Sequence, residues 1–327
     1  MYLLINLDMD KDKMRQAIID LPEQLSADLP FEEEDVWIPG NEFLLSGMGG
    51  SALAADLLKV FDPNVDLLVH RDYDLPKEPF IEGRSMIFSS YSGNTEEPLS
   101  GLARARQMGH PSAAITAGGS LLEMAHQAAL PVIVLPLGLP PRLAVGYSFL
   151  AIARLCLGVK KVKEIKANMP EIEAGVKNLE EVGKKLADSI SDRPVIVYAS
   201  TSNQPLAYYW KITFNETGKR AAFWNVLPEQ NHNELESPSS DTHYLLLRDA
   251  SDKPQIAKRF DIIVKQYEGL GLRVDSVELP NGSPLERIFY AVSLANWVAY
   301  HVAARSGKDP ASVPIIEGFK KSLRNEN

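Results

Sequence analysis

Short apolar runs alternate with longer amphipathic stretches along most of the chain. After a helical stretch at residues 9–28, the first half contains strand-like runs at 43–46, 66–70, 85–89, 112–116 and 131–135, separated by helical stretches at 52–61, 95–108 and 120–129. Strands that alternate with helices of about ten or more residues are typical of βαβ units. The first half is therefore predicted to form a mainly parallel sheet flanked by helices.

The alternation stops at a charged stretch and then restarts. Lysines and glutamates interleave through Lys160 to Ser191, which predicts a solvated helix with a linker. Beyond it lie strand-like runs at 194–198, 242–247 and 272–279 and helical stretches at 204–217, 253–270 and 284–305. Ser283, Pro284 and Glu286 form a capping-box signature for the last helix. The sequence predicts two doubly wound α/β subdomains, residues 1–160 and 161–327.

Composition narrows the classes of function. Of the 327 residues 45% are hydrophobic, and 43 acidic against 34 basic side chains give a formal charge of -9. A negative balance disfavours nucleic-acid and anionic-membrane partners. No apolar run approaches the roughly 20 residues of a membrane span, so we expect a cytoplasmic protein. The single cysteine, Cys156, lies in an apolar helical stretch and is interpreted as a buried, inert thiol.

Two turns of small and hydroxyl-bearing residues provide the main chemical signal. Gly47 to Ser51 and Ser89 to Thr95 each follow an apolar run and open onto a helical stretch. Backbone N–H groups at a helix N-terminus favour a bound anion. Open parallel sheets also bind ligands at the carboxyl ends of their strands. A phosphorylated small molecule is the predicted ligand.

Other interpretations of these turns exist. Gly47 to Ala52 fits the dinucleotide fingerprint G-x-G-x-x-A, but Arg71 stands where a ribose-binding carboxylate is expected. For Ser92, Asn94 and Thr95, simple capping of the following helix is the alternative.

At these residues the chain resembles the sugar isomerase (SIS) fold, whose phosphosugar loop reads S-x-S-G-x-T. More narrowly, it resembles the bifunctional phosphoglucose/phosphomannose isomerases of archaea and some bacteria, from about Asn41 to the C-terminus. The stretches that carry the resemblance are Ser90 to Thr95, Pro140 to Arg142, Asn215-Glu216, Asn231 to Glu234 and Ile315 to Lys320.

The resemblance implies interconversion of glucose 6-phosphate or mannose 6-phosphate with fructose 6-phosphate through a cis-enediol, without metal or cofactor. It implies a homodimer whose active site includes a histidine from the partner subunit. Glu216 would be the general base, and His232 would open the sugar ring with help from Lys320. Arg142, held by two prolines, would stabilise the enediolate oxygen.

The resemblance also assigns the two turns. Ser90, Ser92 and Thr95 would hold the phosphate, whereas Gly50 and Ser51 would contact the sugar hydroxyls. The glycines would then serve a close backbone approach to the sugar.

Each catalytic assignment has a simpler alternative. Glu216 is expected in the last turn of a helix, where the macrodipole disfavours a carboxylate, and Lys219 and Arg220 could merely screen it. His232 lies in a polar loop, where most histidines are solvated, and Arg142 could simply initiate a helix. Lys320 could be a surface charge, and its neighbour Lys321 leaves the assignment uncertain by one residue.

Two other functions compete with the isomerase. A phosphosugar-binding regulator would use the same loop without chemistry, but it would not need a base, an imidazole and two cations together. A dinucleotide-dependent oxidoreductase is disfavoured by Arg71. No metal site is predicted, because the remaining histidines show no common ligand spacing; they are His70, His110, His126, His243 and His301.

Overall fold

The computed structural model describes residues 9–325 of the chain. They form two compact units, which are described separately. Unit 1 comprises residues 20–175 and 282–289. Unit 2 comprises residues 9–19, 176–281 and 290–325.

The elements up to residue 176 follow the predicted alternation closely. In chain order they are α1 (Lys11–Ile19), β1 (Phe31–Glu32), β2 (Glu42–Gly47), α2 (Gly49–Phe61), β3 (Asp66–His70), β4 (Ser85–Ser90), α3 (Glu96–Met108), β5 (Ser112–Thr116), α4 (Gly119–Gln127), β6 (Val132–Val134), α5 (Val145–Ala167) and α6 (Met169–Val176).

The remaining elements repeat the pattern. They are α7 (Leu179–Ile190), β7 (Val195–Ser200), α8 (Gln204–Glu216), β8 (Ala222–Leu227), β9 (His243–Arg248), α9 (Pro254–Gly269), β10 (Arg273–Glu278), α10 (Pro284–Arg305) and α11 (Pro314–Asn325). The capping box of α10 is present, since Ser283 N donates to Glu286 Oε2 at 2.7 Å and Glu286 N donates to Ser283 Oγ at 3.3 Å.

Each unit is built around one sheet. The strand order in unit 1 is β1-β6-β5-β4-β2-β3, and only the β1–β6 pair is antiparallel. The order in unit 2 is β10-β9-β7-β8, and all its pairs are parallel. The predicted fold class, mainly parallel sheets flanked by helices, is confirmed.

Apolar side chains fill the space between sheet and helices in both units. In unit 1, Phe88 of β4 packs with Leu102 of α3 and Leu121 of α4. In unit 2 the core is aromatic: the rings of Tyr244 and Tyr267 have centroids 4.6 Å apart. Burial of such side chains removes roughly 1.5–3 kcal/mol of unfavourable hydration each.

Four features differ from the sequence prediction. The helical stretch predicted at 9–28 is divided, since α1 ends at Ile19 and a short 3₁₀ helix follows at Pro22–Ser26. The charged stretch after residue 160 is not one helix with a linker, because it contains the end of α5, α6 and α7. Strand β8 was not predicted, and neither was the short antiparallel strand β1.

Candidate active site

The strand order of unit 1 reverses beside β2. After β2 the chain passes to β3 on one side and then returns to β4 on the other. A parallel sheet leaves a crevice at such a switch point, beyond the carboxyl ends of the two strands. Both turns that the sequence predicted as ligand sites lie there, and Tyr91 N of one turn donates to Ser51 Oγ of the other at 3.3 Å.

The Ser90–Thr95 loop holds its hydroxyl groups together. Ser90 Oγ lies 2.8 Å from Thr95 Oγ1 and accepts a hydrogen bond from Gly93 N at 3.1 Å. Thr95 occupies the N-cap position of α3, but its side chain makes no capping hydrogen bond. Helix capping therefore does not explain Thr95, whose hydroxyl faces the loop.

A second loop, residues 116–120, supports the first one. Asn94 Oδ1 accepts hydrogen bonds from Ser120 N at 3.1 Å and from Ser120 Oγ at 3.2 Å. A Cβ atom on Gly93 would lie 1.7 Å from Gly118 O, so the two loops are in direct backbone contact. Sequence reasoning missed this loop, although Thr116 to Ser120 shows the same combination of glycines and hydroxyls after a strand.

The glycine turn after β2 packs closely against other parts of the backbone. Cβ atoms on Gly47 and Gly50 would lie 2.9 Å from Ser89 O and Pro141 O, respectively. Gly49 has a φ of +50°, a left-handed conformation that glycine adopts without strain. Close contacts with other parts of the backbone therefore explain Gly47 and Gly50, and the approach of this turn to a sugar stays a prediction.

This packing brings Arg142 to the N-terminus of α2. Arg142 belongs to the 3₁₀ helix Pro141–Leu143, and its Cα would lie 3.6 Å from a Cβ on Gly50. Its side chain is half-buried. Unit 1 therefore brings together all six of its predicted site residues: Gly50, Ser51, Ser90, Ser92, Thr95 and Arg142.

The end of β3 lacks the carboxylate that a dinucleotide site requires. Arg71 follows β3 directly, and its guanidinium pairs with Asp56 of α2. Burial raises the pKa of Asp56 even with this partner. At this position a cation paired with Asp56 therefore stands in place of the carboxylate that binds the ribose 2′-hydroxyl of NAD.

The sheet of unit 2 has an equivalent switch point beside β7, and its own side chains fill it. Asn203, after β7, donates from Nδ2 to Asp249 Oδ2 after β9 at 3.0 Å. The other carboxylate oxygen of Asp249 accepts from Ser251 N and Ser251 Oγ at 2.8 and 2.7 Å. A buried carboxylate in this place disfavours a phosphate.

Unit 2 carries the other predicted catalytic residues on three different elements. Glu216 is half-buried in the last turn of α8. Its backbone carbonyl accepts a hydrogen bond from Lys219 Nζ, which also donates to Ser312 O at 2.5 Å. Arg220 pairs with Asp192 at 2.7 Å. Thus Lys219 satisfies a carbonyl at the helix end, a role that the sequence did not suggest.

His232 and Lys320 are exposed. His232 ends the 3₁₀ helix Glu229–His232 after β8, and Lys320 lies on α11. Lys321 is exposed as well, so exposure does not separate the two lysines.

Among residues 9–325, no three or more His, Cys, Asp or Glu side chains are grouped so that they could hold a metal ion. No helix in the same range combines the length and the apolar content needed to cross a membrane. Cys156 is a free, half-buried thiol whose pKa is raised by burial, and its inertness stays a prediction.

Comparison with known proteins finds a matching family model and relatives that are similar over nearly their whole length. The family model of the bacterial phospho-glucose isomerase C-terminal SIS domain matches residues 179–323. A bifunctional phosphoglucose/phosphomannose isomerase of Caldicellulosiruptor bescii is 30% identical, over 95% of this chain and 98% of that protein. One from Aquifex aeolicus is 33% identical, over 90% and 95%.

A solved structure supports the fold. The C-terminal domain of glucosamine-fructose-6-phosphate aminotransferase from Francisella tularensis is similar with a TM-score of 0.72 and 15% identity, over 93% of this chain and 100% of that one. At that identity the likeness concerns the fold alone. Because the two relatives match it over nearly their full length, the chain belongs to the family of bifunctional phosphoglucose/phosphomannose isomerases.

Proposed function

We propose that the protein interconverts glucose 6-phosphate and mannose 6-phosphate with fructose 6-phosphate by a metal-independent enediol mechanism. Besides the family, one observation supports the proposal most: two hydroxyl-bearing loops meet at the switch point of the unit 1 sheet, with Arg142 beside them. Open parallel sheets bind their ligands at this place.

The Ser90–Thr95 loop binds the phosphate in this proposal. The clustered hydroxyls of Ser90 and Thr95 are donors for phosphate oxygens, and the first turn of α3 adds N–H groups that lack partners within the helix. Ser92 completes the loop, whereas Gly50 and Ser51 contact the sugar.

Glu216 is the proposed base. Its carboxylate removes the proton from C2 of the open-chain aldose, the electron pair forms the C1–C2 double bond, and O1 takes up a proton. The same carboxylic acid then returns the proton to C1, where the electrons of the C1–C2 double bond form the new C–H bond. The O2 hydroxyl releases its proton at this step, which leaves a ketone at C2 and balances the proton that O1 took up. Arg142 stabilises the negative charge that develops on oxygen, since its guanidinium is permanently charged.

His232 and Lys320 open the sugar ring in this scheme. Imidazole suits proton transfer between the anomeric hydroxyl and the ring oxygen, because its ordinary pKa lies near neutrality. Mannose 6-phosphate requires only that the same base reach C2 after rotation about the C2–C3 bond. A carboxylate, an imidazole and cations suffice for this route without a metal.

We also propose a cytoplasmic homodimer whose active site takes a histidine from the partner subunit. The exposed apolar side chains of α11 support an association surface, since Ile315 is 88% and Phe319 is 64% exposed.

A coupled assay that forms fructose 6-phosphate from each aldose tests the proposal. Glu216→Gln should lower kcat by at least about a hundredfold, the lower end of what a positioned base contributes. The matched control is Glu268→Gln, which makes the same charge change at an exposed position of α9 in unit 2. Wild-type activity in Glu216→Gln would refute the base, and loss of activity with a chelator would refute metal independence. Binding of glucose 6-phosphate without turnover would favour the regulator.

A further inference from the structure

The segment that carries His232 is fixed to the sheet of unit 2 on its C-terminal side by Glu234. Glu234 Oε2 accepts a hydrogen bond from Tyr198 Oη of β7 at 2.7 Å. Glu234 Oε1 accepts one from Asn225 Nδ2 of β8 at 2.6 Å. The carboxylate of Glu234 is therefore hydrogen-bonded to two neighbouring strands. Glu234 lies only two residues after His232.

The N-terminal side is fixed by a second chain of hydrogen bonds. Gln230 is fully buried and donates from Nε2 to Tyr267 Oη at 3.2 Å. Asn231 Nδ2 donates to Gln230 Oε1 at 2.7 Å, and Asn231 Oδ1 accepts from Arg259 Nη1 of α9 at 2.9 Å. The residues on both sides of His232 are thus hydrogen-bonded to the strands or to α9 of unit 2.

A shorter link joins the two flanks across His232. Asn233 Nδ2 donates to Glu229 Oε1 at 3.1 Å, and Asn233 Oδ1 accepts from Glu234 N at 2.7 Å. His232 itself is exposed between these anchors. Anchoring of the turn on both sides restricts the positions that the imidazole can occupy, while the ring itself remains exposed.

The partners of Glu234 need an acceptor. Tyr198 is 1% exposed, and burial together with the bond to Glu234 raises the pKa of its hydroxyl, which therefore remains a donor. The amide of Asn225 is oriented by a second bond, because its Oδ1 accepts from Val226 N at 2.8 Å. Removing the carboxylate would take the acceptor away from the buried Tyr198 hydroxyl and from the half-buried Asn225 amide. Such a loss costs about 1–3 kcal/mol for a buried group and less for one that water can reach.

We propose that Glu234 is a positioning residue that holds the His232 turn through Tyr198 and Asn225 and so fixes the imidazole for ring opening. This inference rests on the proposed role of His232. It gives the buried Tyr198 an indirect part in the reaction, through its hydrogen bond to Glu234.

A double-mutant cycle in the full-length protein tests it, with Glu234→Ala, His232→Ala and the combined variant. Glu234→Ala should lower kcat with hexose 6-phosphates at least about tenfold and leave KM nearly unchanged, since a misplaced acid–base group loses part of its roughly 10²–10⁴-fold contribution. In the His232→Ala background the same substitution should have no further effect on kcat. Glu234→Gln keeps an acceptor for Asn225 and should recover most of the rate. If Glu234→Ala does not fold, Tyr198→Phe takes its place, since it removes the hydroxyl that holds Glu234 and should likewise lower kcat only when His232 is present.

The matched control is Glu236→Ala, which removes an exposed carboxylate two residues farther along. Hydrogen exchange of the amides of residues 229–236, read by mass spectrometry, should become faster in Glu234→Ala and remain unchanged in Glu236→Ala. Equal losses of kcat with and without His232, or unchanged exchange in Glu234→Ala, would overturn the inference. Wild-type kcat in His232→Ala would instead refute the proposed role of His232, while the exchange measurement would still decide whether Glu234 holds the turn.

Discussion

Gly93 shows how a single residue sets the geometry of the phosphate-binding loop. Its φ is +68°, and an added Cβ would lie 1.7 Å from Gly118 O. Gly93→Ala must therefore separate the loops that follow β4 and β5. We expect KM for hexose 6-phosphates to rise at least about tenfold, the equivalent of losing one hydrogen bond to a charged group.

Gly109→Ala is the control for this substitution, since Gly109 has a φ of +74° with open space around the added Cβ. It should cost only about 1–2 kcal/mol of backbone strain and leave KM unchanged. Steady-state kinetics and thermal melts of both variants separate the two effects. Equal KM values for Gly93→Ala and wild type would show that contact between the loops does not shape the phosphate site.

Asp275 illustrates a charged residue with a structural role. Its Oδ2 lies 2.9 Å from Nε2 of His243 and accepts from Ser189 Oγ at 2.6 Å. The His243 imidazole, more than the Ser189 hydroxyl, holds the pKa of Asp275 below its ordinary value of 3.8. His243 is the first residue of β9 and Asp275 is the third of six residues in β10, so neither lies at the carboxyl end of its strand, where parallel sheets bind ligands.

The pH dependence of stability follows from this shift. A carboxyl group whose pKa is depressed by folding stabilises the native state above its unfolded pKa, and loses that contribution as the pH falls through the folded value. Asp275→Asn should therefore be less stable than wild type to urea at pH 5–8, and the difference should shrink below about pH 4. The exposed Asp241→Asn is the control. A stability difference that keeps its size at pH 3 would contradict this account.

At the level of elements, helix α11 bears on the choice between Lys320 and Lys321. Ile315, Phe319 and Leu323 follow one another at four-residue spacing and form one stripe of the helix. At about 100° per residue, Lys320 borders this stripe and Lys321 points away from it. We expect Lys320→Met to lower kcat at least about tenfold, whereas Lys321→Met should behave like wild type in the coupled assay. The reverse result would assign the role to Lys321.

How far the sequence predicts an element depends on the contrast between its faces. Strand β4 is buried throughout, so its apolar run was visible, as was the capping box of α10. Strand β8 exposes Phe223 and leaves Asn225 half-buried at the edge of its sheet, so it shows no uniform apolar run. The predicted helix at 204–217 matched α8 within one residue.

The candidate site was predictable only in part for a similar physical reason. Hydroxyls and glycines of the Ser90–Thr95 loop form a local pattern, and local patterns are visible in a sequence. The bonds from Glu234 to Tyr198 and Asn225 join residues that are 36 and 9 positions apart. The contact of Gly50 with Pro141 spans the chain from α2 to the turn before α5. Only the folded backbone reveals such pairs.

At the scale of the whole molecule, the two units share a plan but differ in what lies at their switch points. In unit 1 two hydroxyl-bearing loops meet there, whereas in unit 2 Asn203 and Asp249 occupy the corresponding place. A carboxylate at that position repels an anion, so unit 2 is not expected to bind a second phosphosugar in the same way. We expect isothermal titration of Glu216→Gln with fructose 6-phosphate to give one site per chain, and a stoichiometry of two would contradict this.

The proposed sharing of residues between subunits makes a quantitative prediction for mixed dimers. If a site combines Glu216 of one subunit with His232 of the other, a dimer of one Glu216→Gln chain and one His232→Ala chain contains one intact site. Equal mixing after reversible dissociation gives half mixed dimers, so about a quarter of wild-type activity should return. Each variant remixed with itself is the control and should remain inactive. Sedimentation of the mixture confirms that dimers have formed. If the mixed dimers are as inactive as the two parents, then each site is built within one chain.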